Sequence, residues 1–96
     1  EILQIFQRTA RDYKAIRCQQ ASHAAAVQKC HAKGYDRVVY SKKDPNAISL
    51  FNRVKVQLPG SIGHIVGGTY IMLAQSADSS DLVAFINMVD DQRLDI

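Results

Sequence analysis

The sequence predicts an α+β fold, or a compact α/β one, with a helical N-terminal third, one small sheet of three to four strands, and a C-terminal helix packed on that sheet. Three observations point there. No Gly or Pro interrupts the chain before Gly34, so nothing breaks a helical start. Short runs rich in β-branched and aromatic residues follow, at Arg37–Tyr40, Arg53–Leu58 and Thr69–Gln75. The final apolar stretch, with Leu82, Val83, Phe85, Ile86 and Val89, repeats at the helical period. The length of 96 residues and the hydrophobic fraction of 47% suit one domain over 1–96 with one continuous core.

Taken in order, Ile2, Ile5, Phe6, Thr9, Ala10, Tyr13 and Ile16 fall on one side of a helix spanning 2–17, with Arg8, Arg11 and Lys14 along another stripe. The competing reading ends that helix near Asp12 and makes 13–18 a strand. A second helix runs from about Ser22, as N-cap, through Ala24, Ala25 and Ala26 to Lys33, and Gly34 closes it. Arg37–Tyr40 is a short strand. Asp44-Pro45 marks a turn or helix start. Residues 47–58 admit two readings. Ala47, Leu50, Phe51, Val54 and Leu58 fit a helix; Val54, Val56 and Leu58 alternating with Arg53, Lys55 and Gln57 fit a strand. The alternation favours a short helical turn through Phe51 and a strand over 53–58. The glycine-rich stretch 60–68 is a hairpin or wide loop before a central strand, 69–75, covered on both faces. Asp78 and Asp81 cap the last helix, whereas Asp90, Asp91 and Asp95 lie near its other end, where the helix dipole disfavours them.

Net charge is +3, unevenly placed. Residues 1–55 hold eleven Lys and Arg against four Asp and Glu, and residues 56–96 hold one against five. Such asymmetry suits a polyanionic partner or charge-complementary self-association. The longest apolar runs are far short of the ~20 residues of a membrane span, and the start at Glu1 shows no leader pattern. Cys18 and Cys30 are too few for a disulfide scaffold and suit a reducing, cytoplasmic compartment; a bridged pair in an exported mature chain is the alternative.

Signals for chemistry are sparse. The segment from Gly60 to Gly68 matches neither a nucleotide-binding loop nor a dinucleotide fingerprint. His64 within it is the one weak catalytic candidate, for a small hydrolase or transferase, because a loop histidine titrates near neutrality. His23, Cys30 and His31, with Cys18 upstream, lack the paired spacing of a zinc site, and no motif calls for a cofactor. Lys42, Lys43, Arg53, Lys55 and Arg37 are the candidate phosphate or anion contacts, within a basic stretch over 29–55 that Tyr35 and Tyr40 interleave. The leading expectation is a non-catalytic interaction module that binds a protein partner or itself. A nucleic-acid-binding accessory or regulatory protein is the alternative.

Overall fold

The structure is a computed structural model that describes residues 1–43 and 45–92. Its chain begins with strands. β1 (Ile2–Gln7) and β2 (Asp12–Cys18) form an antiparallel hairpin, and one turn of 3₁₀ helix leads into α1 (His23–Ala32). Then come β3 (Arg37–Lys43), α2 (Ala47–Gln57), β4 (Gly63–Val66), β5 (Tyr70–Leu73) and α3 (Ser79–Gln92). The five strands make one antiparallel sheet in the order β3-β1-β2-β5-β4. No described helix is long and apolar enough to cross a membrane.

This corrects the expected helical N-terminal third and the three- to four-strand sheet, and the cause is physical. Successive strand side chains point to opposite faces, and β1 and β2 are buried on both. Leu3, Ile5, Tyr13 and Ala15 join α2 and α3 in the larger core. Phe6 and Ile16 point the other way and pack with Cys30 of α1 and with Tyr35. Along β1 this gives a repeat of two buried residues and one half-buried residue, close enough to the helical period to imitate it. The chain reverses between β1 and β2 without glycine or proline. Thr9 makes the turn, its Oγ1 accepting from the amides of Arg11 (3.3 Å) and Asp12 (3.2 Å).

Residues 53–58 are also corrected, from strand to helix. Ala47, Leu50, Phe51 and Val54 follow the i, i+3, i+4, i+7 spacing and are buried, whereas Val56 is 86% exposed. The alternation of Val54, Val56 and Leu58 is therefore incidental to α2. The stretch 60–68 contains a strand rather than only a loop, and positive φ at Gly67 and Gly68 turns it into β5. Ser22 stands at the N-cap of α1 but its hydroxyl makes no capping bond. At α3 the expected cap is reciprocal: the Asp78 amide donates to Asp81 Oδ2 (3.0 Å) and the Asp81 amide to Asp78 Oδ1 (3.1 Å). The expected roles of Asp44 and Asp95 lie outside the described residues.

Asp12, 7% exposed, ties the β1–β2 turn to the loop after α1. It accepts from Arg8 Nε (2.7 Å) and from the Tyr35 hydroxyl (2.9 Å), and the Arg8 guanidinium carbon lies 5.3 Å from the Tyr35 ring centroid. Burial first, and then the bond to Asp12, pushes the Tyr35 phenol up to about 12. Burial also raises Tyr13, whose hydroxyl donates to the Ala10 carbonyl (3.0 Å). For a phenol whose neutral form is favoured by folding, the stabilisation is complete below the unfolded value of ~10 and is lost as pH rises through the folded one. Denaturant unfolding across pH should thus show stability falling from pH ~10 upward, with a shallower fall in Tyr35→Phe. An identical alkaline decline in that variant would contradict the assignment.

Gly63 begins β4 opposite Leu73, where an added Cβ would stand 2.5 Å from the Met72 carbonyl oxygen and 3.1 Å from Leu73 Cα. Gly63→Ala should cost roughly 1–3 kcal/mol through overpacking, measured as a lower denaturation midpoint. Gly60→Ala should be close to neutral, because nothing lies within 4 Å of its added methyl. Equal effects at the two sites would refute the close approach.

Candidate functional site

Of the five sequence-predicted anion contacts, Lys42 and Arg53 meet at the end of α3, and the other three are placed apart from that pair. Arg37 and Lys43 stand exposed at opposite ends of edge strand β3. Lys42, between them, forms an ion pair with Asp90 near the end of α3. The Arg53 guanidinium donates to the Val89 carbonyl in the same region. Lys55 holds its ammonium 5.5 Å from the Phe51 ring centroid, with the Arg17 guanidinium carbon 5.6 Å from the same ring. Lys42 and Arg53 thus serve the negative end of the α3 dipole, and the awkward placement of Asp90 is compensated from within the chain. His64 is exposed on β4, opposite Met72 in register, rather than held in a loop.

A different set of cations converges. α1 covers β1 and β2 on its side of the sheet, while α2 and α3 occupy the opposite face. Register places His64 beside Met72, Val66 beside Tyr70, and Tyr70 beside Lys14. Residues directly opposite in a ladder share a face, so these side chains line one flank of the sheet on the α1 side. Val66 and Met72 are 47% and 39% exposed there. The expected central strand at 69–75 is therefore covered on one face only along this flank.

Where the flank meets α1, a cavity of about 300 Å³ is lined by Lys14, Ile16, Arg17, Ala26, Lys29, Lys33 and Thr69, with the Arg17 guanidinium turned to the Phe51 ring on the opposite face. Local structure explains its shape. β5 pairs with β2 only over Asp12–Lys14, followed by one bond from the Ala15 amide to the Thr69 carbonyl (2.8 Å). The rest of β2 runs on past the β4–β5 pair, and the cavity opens there between β2 and the end of α1. Lys29 and Lys33 lie one helical turn apart and so project to the same side, at the end of α1 whose dipole favours positive charge.

The lysines are organised around Tyr70. Lys14 Nζ donates to Thr69 Oγ1 (3.1 Å) and lies 4.2 Å from the Tyr70 ring centroid. Lys33 Nζ donates to the Tyr70 hydroxyl (3.3 Å). The Tyr35 ring supports Tyr70 from the side, with centroids 5.8 Å apart. Among the described residues, no carboxylate pairs with Lys14, Lys29 or Lys33. The hydrogen bond from Lys33, followed by the charge of Lys14, draws the Tyr70 phenol below its ordinary value. The site therefore presents positive charge, hydroxyl donors and an aromatic ring with aliphatic neighbours, a combination that suits an anion carrying a flat apolar group.

Sequence reasoning counted Lys29 and Lys33 in the basic stretch but missed Lys14 and Tyr70 as site residues. Lys14 read as part of a helical stripe, and Tyr70 as a strand residue covered on both sides. The available signal was the one-turn spacing of Lys29 and Lys33 beside the helix-closing Gly34. Cys18 and Cys30 are free thiols whose values burial raises, which disfavours the reactive thiolate. Among the described residues, no group of three or more His, Cys, Asp or Glu gathers to hold a metal. His23 meets the Gln4 side chain, and His31 packs edge-on to Phe6 (5.8 Å).

A tyrosinate absorbance titration should show one component below the ordinary value of ~10, absent in Tyr70→Phe and shifted upward in Lys33→Met. A wild-type curve without that component would contradict the Lys33–Tyr70 contact. Comparison with family models, characterised proteins and solved structures finds no match to this chain.

Proposed function

We propose that this protein is a non-catalytic module that binds single-stranded nucleic acid along the flank formed by β5, β4 and the end of α1. The observation that carries the reading is the convergence of Lys14, Lys29 and Lys33, free of carboxylate partners among the described residues, on one cavity beside the partly buried Tyr70 ring. Lysines neutralise backbone phosphates, and aromatic rings on a sheet surface stack unpaired bases with little regard to sequence. His64, Val66 and Met72 extend the platform.

Self-association through opposed charges has less support. The acidic end of α3 is already engaged by Lys42 and Arg53 of the same chain. A base-stacking surface also accounts for features that charge complementarity alone does not: a tyrosine ring held between two lysines, and exposed apolar residues next to it.

Fluorescence anisotropy with labelled single-stranded oligonucleotides tests the reading. Affinity should fall with salt, each lysine–phosphate contact contributing about 0.7 to the log–log slope. Lys33→Ala should weaken binding for every sequence alike. Tyr70→Ala should cost roughly 1–3 kcal/mol if one base stacks there, while Lys43→Ala on the far edge changes little. No retention of any oligonucleotide at low salt, or equal losses at Lys43 and Lys33, would overturn the proposal.

A further inference from the structure

We infer that the cavity beneath α1 seats a terminal phosphomonoester, so that the protein engages the phosphorylated end of a strand rather than its interior. This rests on the nucleic-acid reading above and adds the ligand class of one site within it.

The first argument is charge. An internal phosphodiester carries one negative charge, whereas a terminal phosphate carries about 1.5 to 2 at pH 7 and offers three strong acceptor oxygens. Three lysines line this one small space: Lys14 from the strand below, and Lys29 and Lys33 from the helix above. A strand tracking across a surface would be met by cations spread along a path. Here they are gathered at one point, and among the described residues the remaining flank of His64, Val66, Tyr70 and Met72 adds only Arg8, which Asp12 already holds.

The second argument is size and donor chemistry. About 300 Å³ is at the lower edge of the ~300–1,000 Å³ typical of small-ligand sites, enough for a phosphate and part of its sugar. Thr69 and Tyr70 add hydroxyls to the ammonium donors. Ile16 and Ala26 supply apolar wall. The first base beyond the phosphate would then reach the Tyr70 ring, which borders the same space through Lys14 and Lys33.

The third argument concerns what the backbone does not provide. The cavity adjoins the C-terminal end of α1, whose partial negative charge repels an anion. Unlike a phosphate site at a helix N-terminus, this one depends on side-chain cations alone, and with the Arg17 guanidinium turned to Phe51 those are the three lysines. Removing two of them should abolish the seat rather than trim it.

The test compares oligonucleotides of one sequence bearing 5′-phosphate, 3′-phosphate or hydroxyl ends, with inorganic phosphate as competitor, on the intact chain. One phosphorylated end should bind at least ~10-fold tighter than its hydroxyl counterpart. That preference should vanish in Lys29→Ala/Lys33→Ala and shrink in the single variant Lys29→Gln. It should also decline as pH falls through about 6, where the phosphate takes up its second proton. Equal affinity for phosphorylated and hydroxyl ends, with strand binding intact, would overturn this inference and leave the broader proposal standing. No strand binding at all would overturn both. A preference that survives in a folded double variant would place the seat elsewhere and also overturn the inference.

Discussion

The structure depends on burial of the β1–β2 hairpin from both sides. These two strands lie in the interior of the sheet, and each alternate set of their side chains meets a different helical layer. Leu3, Ile5, Tyr13 and Ala15 face α2 and α3, and Phe6 and Ile16 face α1. Two helices cover one face. Among the described residues a single helix, ten residues long, serves the other. That imbalance leaves part of the second face uncovered, and the β5–β4 flank is the uncovered part. The open surface is thus a direct outcome of helix count and strand order.

Electrostatics then separates the two sides of the molecule. On the α2–α3 side, Lys42 and Arg53 meet the end of α3 and its Asp90. On the α1 side, the buried acid Asp12 is already held by Arg8 and Tyr35, so it offers nothing to Lys14 and Lys33 nearby. Those lysines turn instead to a hydroxyl and an aromatic ring. Such contacts orient an ammonium group but do not cancel its charge. The positive potential of the flank therefore remains available to a ligand.

The elements legible in the sequence were those with strong punctuation. α1 is closed by Gly34 two residues past its end, and α3 begins at the Asp78–Asp81 box. Strand β3 has Val38, Val39 and Tyr40 just past the helix stop. Illegible were the elements whose pattern two layers share. β1 and β2 carry apolar residues on both faces, so no clean period-2 alternation survives; the competing strand reading of 13–18 matches β2, but nothing signalled β1, and their turn relies on Thr9 rather than on glycine or proline. α2 was split because the apolar Val56 happens to be exposed. The site was less legible still. Lys14 and Tyr70 are far apart in sequence and become neighbours only through the β2–β5 register, which no local pattern announces. Conversely, of the linear cluster Lys42, Lys43, Arg53 and Lys55, the fold brings Lys42 and Arg53 together but spends both on the end of α3.

The central claim concerns location: ligand binding belongs to the flank beside Tyr70 and not to the basic edge at β3. Amide chemical-shift mapping during titration with a short single-stranded oligonucleotide addresses this most directly. The account predicts salt-sensitive shifts concentrated at Lys14, Lys29 to Lys33 and Thr69 to Met72. Shifts centred on Arg37 to Lys43, or the absence of any localised change at saturating strand, would contradict it.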